Sequence, residues 1–444
     1  MSVCCDRCLA TSTLDDVFAV EKAALGKKRW YCPRCWQAMH EQRARGRLVF
    51  RVALGLGALG LLALSGSGDG PHTAWLALNV FLTLLFIEMA TLPHELGHAL
   101  MAHALGCRVF SVTAGVGPRI LERTVRGVRF RLHAYPFGGF TVTVPRGRRF
   151  FRFKQFVVVA AGPAVNGLLV AGALLLGRDL EGGGIVEGPR PALALLVANT
   201  VLLVGNLIPL RAASPAGVVP NDGLALLKLP FTKASAVTEA LVARYALEAD
   251  ACRERNSLQE ARSWAERGLG EFPGAPVLHL SLGFTLVLSG DCEGARRQFL
   301  ACAEAKDVAP ALRALALNNA AWVDAVTAPN DRLEEADRLS QDALETLGFI
   351  PALKGTRGAV LVALGRHDEG AALLRDVLRG SSADELHPMA RASYSGALAL
   401  ALVAQGQLAE AATLLPAARG YDARSPLLPR LEAAIAAASG RPPN

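Results

Sequence analysis

Apolar residues in the first half of the chain come in long unbroken runs, unlike the stripes of surface helices. Runs at 48–64, 73–105, 156–176 and 192–210 approach or exceed the roughly 20 residues a helix needs to cross a bilayer core, and they predict four membrane-spanning helices. The first is interrupted only by Arg51, near enough to one end for its guanidinium to reach the headgroups. The second is longer than a span requires and carries Glu88, His94, Glu95 and His98. Ionisable groups at that depth must face protein or a water-filled cavity. Beyond residue 229 the pattern becomes that of soluble helices, rich in Ala and Leu and punctuated by Gly and Pro.

This second half repeats. Ala261, Ala295, Ala336, Gly370 and Ala411 close the similar phrases SLQEA, DCEGA, RLEEA, RHDEG and QLAEA, at intervals of 34, 41, 34 and 41 residues. A 34-residue helix–turn–helix period is similar to the tetratricopeptide repeat, and 41 adds a longer connection. Gly283, Ala295 and Phe299 fit one such unit, and Gly358 echoes Gly283. Small residues belong where paired helices approach closely. Residues 234–440 therefore read as an α-solenoid of four or five repeats, a surface suited to a protein partner.

At 444 residues the chain has room for two or three domains. Hydrophobic residues make up 52% and charged residues 19%, which excludes a disordered or collagen-like chain. The net charge of +8 is placed unevenly. Eleven Arg and Lys fall in the loop 106–154 against the single acid Glu122, and seven lie between residues 27 and 47. The loop 65–72 has no Lys or Arg, and in 177–190 the two arginines are balanced by acids. The positive-inside rule then places a multi-pass protein in the cell membrane with both termini and the arginine loop in the cytoplasm. That loop can also lie against anionic headgroups. Topology thus accounts for much of the basic charge without nucleic acid.

Five of the nine cysteines crowd into the first 35 residues, and no signal peptide precedes them. The pairs Cys5-x-x-Cys8 and Cys32-x-x-Cys35 have the spacing of a zinc ribbon. A module of about 45 residues is too small for a metal-free core, so the zinc is expected to be structural. The neighbouring Lys27, Lys28, Arg29, Trp30 and Tyr31 mix base and aromatic as a nucleic-acid surface does. A fold-supporting or protein-docking knuckle is the reading preferred here.

The second apolar run contains PHELGH. His94 and His98, at i and i+4, lie on one helix face and can reach a single Zn²⁺, and Glu95 sits beside them as a proton acceptor for water at that ion. The competing reading is a pair of buried histidines bonded to neighbours, which costs more in a membrane than in a soluble helix. A third ligand is required. Asp222, in the NDG that follows a Pro-rich stretch after the fourth run, is a candidate, although NDG alone also describes a turn. Asn166, a polar amide inside the third run, needs a partner, either another helix or the site. Gly162, Pro163 and Gly167 suit close helix packing. Gly138 and Gly139 suit either an exposed strand edge or a tight turn or bulge.

HELGH on a membrane helix, AGPAVN at 161–166, AYPFGGF at 134–140, and NLIP followed by DG together resemble the site-2 protease family of intramembrane zinc metalloproteases. The four elements occur in family order over about a third of the chain. The resemblance implies a three-helix catalytic core that cuts membrane protein substrates within or beside their membrane segment. It implies His94, His98 and Asp222 as ligands of a catalytic zinc, Glu95 as general base, Asn166 lining the site, and Phe137, Gly138, Gly139 and Phe140 near the substrate. The thirteen positions from Pro209 to Asp222 exceed the compact form of the motif.

The expected architecture is a mainly α, polytopic bundle of four spans with a small β-rich cytoplasmic loop (46–229). A zinc ribbon precedes it (1–45) and helical repeats follow (234–440). The expected function is intramembrane zinc proteolysis with two zinc ions, one catalytic and one structural. The alternative is a non-catalytic membrane anchor displaying the repeats for partners. A membrane-bound transcription regulator acting through the ribbon is a third reading.

Overall fold

The computed structural model describes every residue except 1–2, 9, 13, 15–17, 23–27, 65–71, 178–183, 215–216, 328–330, 382–385 and 440–444. The chain is mainly helical and divides into two compact units, residues 33–244 and residues 1–32 with 245–444.

The described residues of 1–32 include two short antiparallel strand pairs, β1 (Val3–Cys4) with β2 (Thr11–Ser12) and β3 (Ala19–Lys22) with β4 (Lys28–Tyr31). They are tied together by Asp6, whose N–H donates to Trp30 O (2.8 Å) and whose carboxylate accepts from Trp30 N (2.6 Å).

The unit 33–244 opens with α1 (Pro33–Leu64), one helix that starts inside the segment assigned to the ribbon. Next come α2 (His72–Met89) and α3 (Thr91–Ala104), the single run 73–105 of the sequence. The break between them has a cause. Pro93 has no N–H for the Met89 carbonyl and its ring crowds that carbonyl, so the helix is interrupted at Ala90. A long antiparallel hairpin follows, β5 (Arg108–Val125) and β6 (Val128–Val144), turning at Arg126 and Gly127, both at positive φ. The hairpin is bent, so residues 111–114 pair with 139–142 and also with 129–132.

Then come α4 (Phe151–Leu176), α5 (Pro191–Leu207), a small hairpin β7 (Arg211–Ser214) with β8 (Gly217–Pro220), and α6 (Asp222–Lys228). Three helical stretches, Pro33–Ala63, His72–Ala104 and Phe151–Leu175, are long and apolar enough to cross a membrane, whereas α5, at the fourth expected span, has 17 residues. Arg51 does not merely snorkel: it forms an ion pair with Glu88 of α2, which is 9% exposed, and donates to Leu84 O at 3.4 Å. The buried carboxylate is thereby compensated by a half-buried guanidinium.

From residue 234 the chain is a succession of helix pairs: α7 (Ala234–Glu254) with α8 (Leu258–Glu271), α9 (Pro276–Leu288) with α10 (Cys292–Glu304), α11 (Pro310–Thr327) with α12 (Leu333–Leu347), α13 (Pro351–Ala363) with α14 (His367–Gly380), and α15 (Pro388–Ala404) with α16 (Leu408–Tyr421). A last helix, α17 (Leu428–Ala438), follows them. The five equivalent small residues all lie in the second helix of a pair and are buried. A Cβ on Gly283 would overlap the Phe299 ring, and one on Gly358 would fall 2.8 Å from Leu374 Cγ. The same contact thus recurs two repeats apart. The N-terminal strand pairs rest on this unit: Ser12 Oγ donates to Thr346 O (2.8 Å) and Phe18 meets Phe349 edge-on at 5.3 Å.

Between α10 and α11, Arg296 grips the fully buried Asp324 at 2.8 Å. Replacing Arg296 with Met leaves that carboxylate with only Arg332, 3.8 Å away, as a cationic partner, and thermal or urea unfolding is expected to show a loss of about 3 kcal/mol.

Candidate metal centre

Helix α3 carries PHELGH, so His94, Glu95 and His98 are buried together where α3 packs on α4. The close approach depends on small residues, since a Cβ on Gly97 would fall 2.9 Å from Ala161 O of α4. The rings are fixed through their Nδ1 atoms. His98 Nδ1 lies 2.8 Å from Val158 O, an acceptor only, so this nitrogen carries the proton. His94 Nδ1 lies 2.7 Å from Asn166 Oδ1. Both Nε2 atoms are left with lone pairs and face each other at 3.2 Å.

The third donor arrives from the segment after α5. Leu210 N donates to Asn221 Oδ1 (3.0 Å), and Asn221 N donates to Leu210 O (3.0 Å). The ten intervening residues fold back as the β7–β8 hairpin, which absorbs the long spacing between Pro209 and Asp222. Within NDG each residue has a separate task. Asn221 caps α6 by accepting from Leu224 N (3.1 Å) and holds the end of α5 by donating to Ile208 O (2.7 Å). Asp222 points at the histidines. Gly223 sits where a Cβ would overlap the Leu207 carbonyl. Of the Pro-rich stretch noted in the sequence, Pro215 lies outside the described residues.

Asp222 Oδ2 is 3.0 Å from His94 Nε2, and Oδ1 is 3.6 Å from His98 Nε2. These separations suit a shared ion: Zn–N bonds of 2.0–2.1 Å in a tetrahedron put ligand atoms about 3.3 Å apart. Gly162 supports the same fit, because a Cβ there would overlap His98 Nε2 and fall 2.6 Å from His94 Nε2. The expectation of simple helix packing for Gly162 thus gains a second reason: the residue keeps the space before the nitrogens open.

Glu95 is held by Thr141 of β6, whose Oγ1 lies 2.7 Å from Glu95 Oε2 and 3.1 Å from its backbone O. Among the described residues, Oε1 has no hydrogen-bond partner. Gly139 passes so close that a Cβ would fall 2.7 Å from Glu95 Cγ. Of the other residues expected near the substrate, Gly138 lies in a bulge of β6 with φ +74° and open space beside it, and Phe140 is exposed. The side chain of Phe137 lies outside the described residues. Asn166 reaches both alternatives left open by the sequence, His94 on one side and, through Nδ2, Asn199 Oδ1 of α5 at 3.0 Å on the other. Sequence reasoning missed Thr141 and Asn199. Nothing marks Thr141 in a strand, but Asn199 is a lone amide inside an apolar run, the signal that singled out Asn166.

A second group lies at the N-terminus. One Sγ each from Cys5, Cys8, Cys32 and Cys35 gather within 4.8 Å of one another. Burial works against ionisation of Cys5, but backbone N–H groups of Cys32, Arg7 and Cys8 bring its thiol down to about 7. Such a thiolate suits zinc.

Comparison with known proteins agrees with this chemistry. Residues 81–182 match Peptidase family M50. A protein of Campylobacter jejuni, provisionally named a zinc metalloprotease, is 36% identical over 156 residues, covering 32% of this chain and 38% of that one. A similarly named protein of Chlamydia trachomatis is 34% identical over 113 residues, 20% of this chain and 18% of its own length. One from Rhizobium meliloti is 27% identical over 165 residues, 32% and 40%. The chain thus spans between about a fifth and two fifths of these curated relatives. Among solved structures, YrrB, a TPR protein, aligns over 41% of this chain and 88% of its own at 16% identity and a TM-score of 0.28. The Cut9–Hcn1 assembly aligns over 66% and 57% at 12% identity and a TM-score of 0.36. The histidine pair lies inside the segment that is similar to Peptidase family M50, the family of the site-2 proteases.

Proposed function

We propose that this protein is a multi-pass intramembrane zinc metalloprotease that hydrolyses peptide bonds of membrane-associated proteins, with its helical repeats serving partner binding or regulation. Four crossings, both termini in the cytoplasm, and a structural zinc in the cysteine quartet complete the reading. The observation that carries it is the convergence of His94 Nε2, His98 Nε2 and the Asp222 carboxylate beside the open oxygen of Glu95.

His94, His98 and Asp222 would hold a zinc ion, which would supply Lewis-acid polarisation of a peptide carbonyl and lower the pKa of water towards neutrality. Glu95 takes the proton of the attacking water at Oε1 as the new C–O bond forms, and returns it to the amine nitrogen as the C–N bond breaks. Thr141 holds Oε2 so that Oε1 stays aimed at the reacting atoms. A helical substrate has its carbonyls occupied and must be unwound. The strand edge at 139–144 offers backbone groups for an extended segment, and Gly139 lets that backbone come close to Glu95.

Zinc stoichiometry tests this reading. In the full chain with Cys32→Ser and Cys35→Ser, one zinc is expected to remain. Adding His94→Ala and His98→Ala is expected to remove it. A chain with the cysteines replaced and no bound zinc would overturn the protease reading.

A further inference from the structure

Asn199 has no part in the mechanism above, yet it is fully buried in α5, as Asn166 is in α4. A polar amide in an apolar helix interior needs a reason. The hydrogen bonds around it form a chain whose direction is fixed at one end. Asn199 Nδ2 donates to Leu195 O at 3.0 Å, and a backbone carbonyl can only accept. Oδ1 of Asn199 must therefore face Asn166 and receives its Nδ2–H at 3.0 Å. Asn166 in turn presents Oδ1 to His94 at 2.7 Å, which requires the proton of that imidazole to sit on Nδ1. The lone pair is then on Nε2, facing Asp222 and His98. His98 reaches the same state in one step through Val158 O.

We infer that Asn199 is a positioning residue for the metal: it sets the amide orientation of Asn166 and thereby the tautomer in which His94 offers Nε2. Without Asn199, Asn166 is free to turn its amide by half a rotation and present N–H groups to Nδ1. The proton then moves to Nε2 and blocks the ligand position. The inference rests on the metal-centre reading above, and its test separates the two.

The experiment titrates cobalt(II) into the metal-free full chain in detergent. Cobalt in the cysteine quartet shows thiolate charge-transfer absorption and cobalt on nitrogen and oxygen does not, so the two sites are read apart. Asn199→Leu keeps the volume and removes both hydrogen bonds; Asn199→Thr keeps an acceptor for Asn166 and a donor for Leu195 O. Loss of an outer-shell partner typically weakens metal binding about 10–100-fold. The Leu variant is expected to lose that much affinity at the histidine site with the cysteine site unchanged, and the Thr variant to stay within a few-fold of wild type. A role in packing alone predicts the reverse order. Wild-type affinity in Asn199→Leu, or a Thr variant weaker than the Leu variant, overturns the inference. A wild-type chain that binds cobalt only through thiolates overturns the metal-centre reading itself.

Discussion

Glu95→Gln is expected to lower the cleavage rate of a membrane substrate about 10²–10⁴-fold, the usual contribution of a positioned general base, while zinc content stays unchanged. Glutamine keeps the shape and an oxygen for the Thr141 hydroxyl, which now bonds Glu95 Oε2 at 2.7 Å. What it loses is the ability to take a proton. Its amide is neutral, so water at the site remains undeprotonated and the leaving amine receives no proton. The check is paired: turnover of a reconstituted substrate and metal analysis of the same sample. Undiminished turnover would exclude Glu95 as the base and with it the proposed mechanism.

Gly162→Ala should fail at an earlier stage. The added methyl would occupy the space in front of both Nε2 atoms, overlapping that of His98. The atoms it meets are not the far ends of flexible side chains. His98 is fixed by Val158 O and His94 by Asn166. Relief requires that α3 and α4 separate or that the rings swing off axis, and either spreads the ligand set. Zinc at the histidine site and proteolysis are expected to vanish together, while zinc in the cysteine quartet remains. Comparing the two variants separates holding the ion from moving the proton. A Gly162→Ala protein that keeps full histidine-site zinc would mean the helices part easily there.

Much of this was legible because it is local. An i, i+4 histidine pair needs only a helix, and the small residues at 34- and 41-residue intervals need only a recurring contact. Glu88 and Arg51 were both visible in the sequence, but their pairing depends on how α1 packs on α2, which periodicity does not encode. The same holds for Thr141, brought to Glu95 by the register of a bent hairpin, and for Asn199, whose partner lies one helix away. The spacing before Asp222 looked like a departure from the compact motif. Its explanation is a two-stranded excursion closed by Asn221 and Leu210, a tertiary clamp with no sequence period.

The Arg51–Glu88 bridge also limits how far the molecule can be trimmed. A fragment starting at α2 would hold every atom of His94, His98 and Asp222, the proposed zinc ligands, yet it would carry Glu88 as an orphaned acid in an apolar helix. Such a fragment would have to neutralise Glu88, by Gln for instance, before it could insert as stably as its parent.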